Sequence, residues 1–290
     1  MTFKKYLQIF EKKAVKIEKR IRLLISVFIL TFLVVFSTFF YFDKALIFVP
    51  VLLIASFLLT YFALLEGIEK MAWFGLFFMP VSLTIFFYLF YFLFPGRWLT
   101  RIPYTVVYSI SLYAVLLCAN IFNVGVEKNL QLYRAAFSIN FFYQAFLAFI
   151  VFNILFSFKG IFLINMLIAG GAGFLLSLHL FWSIKLDKRL EKEIVDYALF
   201  MSILLTELSI LISFFPLRGT IAALFLTASF YSLGGIIYNF IDQKLFKETI
   251  REYVFVWAFV LVITLLSISW CVYLWSFAWN LWDSIYFFQR

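Results

Sequence analysis

Charged residues fall so rarely along the chain that they divide it into nine long apolar intervals: 23–42, 45–65, 71–96, 102–126, 135–158, 160–184, 197–217, 219–241 and 253–282. Glu207 is the one charge inside any of them. A helix needs about 20 apolar residues to cross the hydrocarbon core of a bilayer, and each interval is at least that long. Lipid offers no hydrogen-bond partner to a backbone, so a spanning segment is a helix or part of a closed barrel. No short alternating segments of the barrel type occur. The pattern predicts an all-α, polytopic transmembrane bundle of nine spans occupying residues 23–290.

Ahead of the first interval, residues 1–22 read differently. Phe3, Leu7, Phe10, Ala14, Ile17 and Ile21 recur at steps of four and three, which places them on one face of a helix. Eight Lys and Arg fill the remainder against Glu11 and Glu18. Such a segment predicts a basic amphipathic helix lying among anionic lipid headgroups. It serves as an orientation signal and anchor, with partner docking as the alternative. Nine alternating spans with this tail in the cytoplasm leave the C-terminus outside. Of 24 Lys and Arg, only Lys44, Arg97, Arg101, Lys159, Arg218 and Arg290 then lie outside, as the positive-inside rule requires.

Composition narrows the class further. The chain is 66% apolar and only 13% charged, about half the charge of an ordinary soluble domain. The net charge of +9 is concentrated in the tail, so it points to a membrane surface and not to nucleic acid. No cleavable signal peptide is expected, since the first apolar run is too long for one. Cys118 and Cys271 lie in apolar stretches without a partner at ligand spacing and read as packing residues. Pro95 and Pro216 are expected to close helices, with Pro103 in a first turn. Trp73, Trp182 and Trp257 are expected at inner membrane boundaries, and Trp98, Trp275, Trp279 and Trp282 at outer ones. The last interval exceeds one span, so its end is expected to turn along the outer interface.

A duplication is suggested by similarly placed punctuation. LFPGR at 93–97 resembles FFPLR at 214–218, Lys44 corresponds to Lys159, and Asn123 to Asn239. The offsets suit a parallel four-helix repeat, 23–134 and 135–252, followed by a ninth helix over 253–282.

Few residues could carry chemistry. Glu207 is placed near mid-membrane, where a carboxylate is costly, and is expected to face the bundle interior. Two readings stand side by side: a proton, cation or substrate site, or a protonated Glu hydrogen-bonded across helices. At similar depth, Gly170, Gly171 and Gly173 flank Ala172, and Ala169 with Gly173 has small-xxx-small spacing. Close helix packing is the preferred reading, a break lining a cavity the other. His179, the only histidine, lacks the companions that a zinc or haem site needs. It reads as a hydrogen-bonded residue nearer the cytoplasm than Glu207. Glu127, Lys128 and Arg134, with Asn140 and Gln144, make the inner loop at 122–144 unusually polar; a solvated inter-helix loop is the preferred reading, and a binding surface at a cytoplasmic mouth, together with His179, the other. The charged segments 185–196 and 242–252 are expected as short exposed helices. No P-loop, paired-His motif or nucleophile elbow occurs, so no catalytic, cofactor or metal site is assigned and no enzyme is expected.

The stretch NVGVEKNLQLYRAAFSINFFYQ at 123–144 and the loop DQKLFKETIREY at 242–253 resemble multi-pass membrane proteins of candidate-phylum bacteria, grouped as an uncharacterised family of unknown function. The resemblance extends over most of the chain. It implies a bacterial inner-membrane location and no activity. The functional expectation is a transporter-like or channel-like protein with a mid-membrane site at Glu207. The alternative is a non-catalytic scaffold or assembly partner of a membrane complex. A polar cavity reaching Glu207 would favour the first, an exposed helix-docking groove the second.

Overall fold

The computed structural model describes residues 17–39, 42–65, 73–94, 98–124, 131–158, 160–186, 188 and 190–268. Among these residues the regular elements are nine helices: α1 (Lys19–Ser37), α2 (Phe42–Leu64), α3 (Trp73–Tyr91), α4 (Trp98–Val124), α5 (Gln131–Ser157), α6 (Phe162–Lys185), α7 (Lys192–Ser213), α8 (Gly219–Ile241) and α9 (Lys247–Leu266). Each overlaps one apolar interval and is long and apolar enough to cross a membrane; the end of the last interval, where a turn along the outer interface is expected, lies outside the described residues.

The helices do not stop where the charges begin. α7 starts at Lys192 and α9 at Lys247, ahead of the intervals that open at 197 and 253. An interval free of charge measures what lipid tolerates, whereas a helix continues into headgroup water with its charges on. Glu193 and Glu248 in the first turns also suit the positive end of the helix dipole. The charged segments expected as separate short helices are therefore connections plus these first turns. In the first of them Lys185 pairs with both Glu191 and Glu193. α1 likewise begins at Lys19, and Arg22, grouped by sequence with the tail, is fully buried in the bundle. Residues 1–16 of the tail lie outside the described residues, as do Cys271 and the last three tryptophans.

Three boundary expectations change. Trp182 is completely buried against Gly75, not at an interface. Trp257 sits halfway along α9, because that helix starts earlier than its interval. α4 opens at Trp98, so Pro103 falls inside the helix beyond its first turn. Trp73, in contrast, is half exposed at the start of α3, and Pro216 does stand between α7 and α8.

Polar side chains tie helix ends together and define the alternation. At what is here called the far end, Arg101 at the start of α4 donates to the Tyr91 hydroxyl at the end of α3 (2.7 Å) and to the Thr38 carbonyl just past α1 (3.4 Å). At the near end, Asn123 of α4 donates to the Leu64 carbonyl of α2 (3.1 Å), and Tyr133 of α5 donates to the Ser183 carbonyl of α6 (2.7 Å). Helices α1 to α4 close into a ring in which each packs on the next and α4 returns to α1, with α2 touching α4 across it. Helices α5 to α8 close in the same order, with α6 touching α8. The rings join where α3 and α4 meet α5 and α3 meets α6. α9 packs on α8 and contributes only Thr264 to the buried core.

Candidate functional site

Among the described residues three polar places stand out, one closed and two open. The closed one surrounds His179. Its Nε2 hydrogen donates to the Gly75 carbonyl of α3 (2.9 Å), which leaves Nδ1 to accept from the Gln144 amide of α5. All three lie in the interior, and His179 is 1% exposed. The Phe78 and Trp182 rings flank the imidazole. A Cβ on Gly75 would fall 2.3 Å from the Trp182 ring, so the missing side chain is what admits the indole. His179 therefore belongs to a helix-joining network and not to a mouth. Asn140 and Gln144, read as loop residues, are buried along α5.

Glu207 occupies the second place, and the structure turns it the other way from expectation. Its side chain is exposed and lines a groove of about 320 Å³ between α7, α8 and α9. Leu208 and Leu211 of α7, Leu233 and Ile236 of α8, and Val254 and Trp257 of α9 form most of its walls. The Trp257 indole N–H is already used, donating to Ser229 Oγ (3.0 Å). Ser232 Oγ in the same wall is buried with no hydrogen-bond partner among the described residues. Ser232 and Trp257 are both central in their helices, so the carboxylate stands midway along the helices that line the groove. The reason sequence missed its direction is that α7 is apolar on nearly every face.

The glycine patch lies on another side of α7. A Cβ on Gly170 would meet Thr206 Oγ1 at 2.4 Å, and one on Gly173 would meet Leu205 at 2.8 Å. Ser202 Oγ donates to the Gly170 carbonyl (2.8 Å). These contacts seat α6 on α7, the most extensively packed pair in the molecule. Gly171 faces open space. The glycines and Glu207 share a depth without forming one site.

The third place is a cavity of about 700 Å³ at the near end, between α5, α8 and the start of α9. Its walls are aromatic: Phe137 stacks on Tyr238 (centroids 4.0 Å), Phe141 on Tyr231 (5.0 Å), and Tyr231 meets Tyr253 (5.5 Å). Its rim is charged, with Arg134, Asp242 and Lys244, of which the last two form an ion pair at 2.5 Å. Of the residues expected at a cytoplasmic mouth, Arg134 lies on this rim, while Glu127 and Lys128 lie outside the described residues. Tyr231, Tyr238 and Tyr253 were missed. Spacing of seven puts Tyr231 and Tyr238 on one face of α8, but nothing in the sequence says that this face meets α5. No group of three or more potential metal ligands occurs among the described residues.

No curated protein and no solved structure matches the chain. Residues 135–267 do match a family model, described as a protein of unknown function, DUF5656. The match opens in the first turn of α5 and closes just past α9, covering a little under half of the chain. Over these residues, which hold the Glu207 groove and most of the near-end cavity, the chain is similar to an uncharacterised family.

Proposed function

We propose that this chain is a non-catalytic membrane protein whose α7–α9 face receives a transmembrane helix of a different membrane protein, with Glu207 fixing the register. The observation that carries the reading is an exposed carboxylate at mid-depth in an apolar groove. A charged group at a helix centre costs about 2.5–3.5 kcal/mol on insertion scales, and Glu207 makes no hydrogen bond or ion pair within the described chain. A helix presenting a cation or amide donor at that depth supplies what is missing, while its apolar residues fit the Leu, Ile, Val and Trp walls. A second copy of this chain suits the groove poorly, because it would bring two carboxylates together. A transport site would call instead for a polar route to Glu207. The cavity at Glu207 is apolar and opens sideways, and it shares no lining residue with the near-end cavity.

Within the same reading, the near end is cytoplasmic, the location is a bacterial inner membrane, and the two four-helix rings are diverged copies of one unit. The equivalent order of neighbours in the two rings and the start of the family match at the second ring support the duplication.

The test is a photo-crosslinking residue at Leu211 or Val254, introduced into the full chain in its native membranes. A discrete adduct with one membrane protein is expected. Interhelical hydrogen bonds in membranes contribute about 0.6–2 kcal/mol, so Glu207→Leu should lower the adduct yield roughly 3- to 30-fold. Exchanging charges between Glu207 and the partner's cation should restore it. Adducts with lipid alone, with a second copy, or at a yield indifferent to Glu207 would overturn the proposal.

A further inference from the structure

The near-end cavity takes no part in helix docking, and its shape is that of a single amphiphile. From Tyr133 to Ala145, the first and last α5 residues that line it, the helix rises about 18 Å at 1.5 Å per residue. That is a little over half the thickness of a bilayer core. Charge is confined to the upper end, where Arg134, Asp242 and Lys244 stand near the termini of α5, α8 and α9. Below them come the Tyr238, Tyr231 and Phe141 rings, and at the bottom Ala145 and the open flank of Phe142, which is 63% exposed. A ligand entering from the membrane plane therefore meets aromatic wall along its tail and cations at its head.

The charges sort by sign and by commitment. Lys244 is paired with Asp242 at 2.5 Å, the one carboxylate among the described rim residues. Arg134 makes no side-chain hydrogen bond or ion pair with any described residue and is exposed at the rim. Among the described rim residues this leaves one uncommitted cation, Arg134, close to Tyr238. A guanidinium presents a planar fork of donors that suits phosphate oxygens, and basic pockets between transmembrane helices hold anionic headgroups. A soluble anion would use the rim and leave the aromatic depth unfilled.

We infer that the near-end cavity binds one anionic phospholipid, its phosphate on Arg134 and one acyl chain running along α5 over the stacked Phe141 and Tyr231 rings. The site is built between the second ring and the start of α9 and does not depend on the Glu207 groove or on any partner helix.

Delipidated full chain in detergent tests this, titrated with phosphatidylglycerol, phosphatidylcholine, diacylglycerol and glycerol phosphate in separate arms, with binding read by native mass spectrometry. One saturable phosphatidylglycerol is expected. Arg134→Ala should weaken it roughly tenfold, the loss of about one charge-assisted contact, with Arg134→Lys intermediate. A phosphatidylglycerol carrying a photoreactive group on its acyl chain should label Phe142, Ala145 or Tyr231. Ala145→Trp fills the bottom of the cavity while sparing the rim, and should lower phosphatidylglycerol affinity without lowering the melting temperature. If Ala145→Trp lowers the melting temperature, the acyl labelling pattern of the unmodified chain decides in its place. Equal binding of phosphatidylcholine with no effect of Arg134→Ala would overturn the inference. So would glycerol phosphate binding as tightly as the lipid, which would make the rim a free-phosphate site, or acyl labelling confined to other helices.

Discussion

At the scale of single residues, Gly75 has two jobs that no other side chain could share. Its carbonyl receives the His179 Nε2 hydrogen, and its bare α-carbon leaves room for the Trp182 indole. Trp182 is 0% exposed, hemmed in by Phe122 at its edge and His179 at its face, so it has nowhere to retreat when a methyl group is added. Overpacking of this kind costs about 1–3 kcal/mol. Gly75→Ala is expected to lower the melting temperature of the protein in detergent. Gly75→Ala with Trp182→Leu should then be less harmful than the sum of the two changes, since the smaller side chain removes the clash. A strictly additive pair would show that the indole is not the obstacle.

At the scale of elements, α7 uses two faces for two purposes. Ser202, Leu205 and Thr206 meet the α6 glycines, whereas Ile203, Glu207 and Leu211 follow one another at steps of four along the face that opens on the groove and the surroundings. The α6 side can be tested by two neighbouring glycines with opposite environments. Gly170→Ala drives a methyl to within 2.4 Å of Thr206 Oγ1. It should destabilise by about 1–3 kcal/mol unless the hydroxyl rotates away. Gly171→Ala adds its methyl to open space and should be neutral or stabilise by about 0.5–1 kcal/mol through helix propensity. Thermal melting of the two variants side by side should separate them. That the patch packs helices closely was legible from small-residue spacing. Which glycine faces α7 was not, because an all-apolar helix carries no polar stripe to mark its outer side. The same lack hid the outward turn of Glu207 and the burial of Trp182, whose membrane depth sequence can judge but whose facing it cannot. Helix count was legible because charge-free length is a direct consequence of the cost of desolvation. Helix starts were not, because Lys and Glu are at home in a first turn beyond the hydrocarbon.

At the scale of the whole molecule, the two rings place most described cations at one end. Beyond the tail, Arg134, Lys185, Lys188, Lys192, Lys244, Lys247 and Arg251 stand at the near end, against Lys44, Arg101 and Arg218 at the far end. Lys and Arg beside spanning helices resist translocation, while acidic residues contribute little to orientation. The near end should therefore face the cytoplasm even if the contribution of the basic tail is set aside. Single cysteines decide this in a background with Cys118 and Cys271 replaced. Lys188→Cys and Lys244→Cys mark the near end on exposed positions, and Phe215→Cys marks the far end between α7 and α8. In intact cells a membrane-impermeant maleimide should label Phe215→Cys at once, and Lys188→Cys and Lys244→Cys only after permeabilisation. Lys188 and Lys244 flank an even number of helices, α7 and α8, so both must report the same side. Labelling of one and not the other would break the alternation itself, whereas labelling of both in intact cells would keep the bundle and invert it. Inversion would also move the Arg134 cavity to the outer leaflet, where the supply of anionic lipid would have to be sought anew.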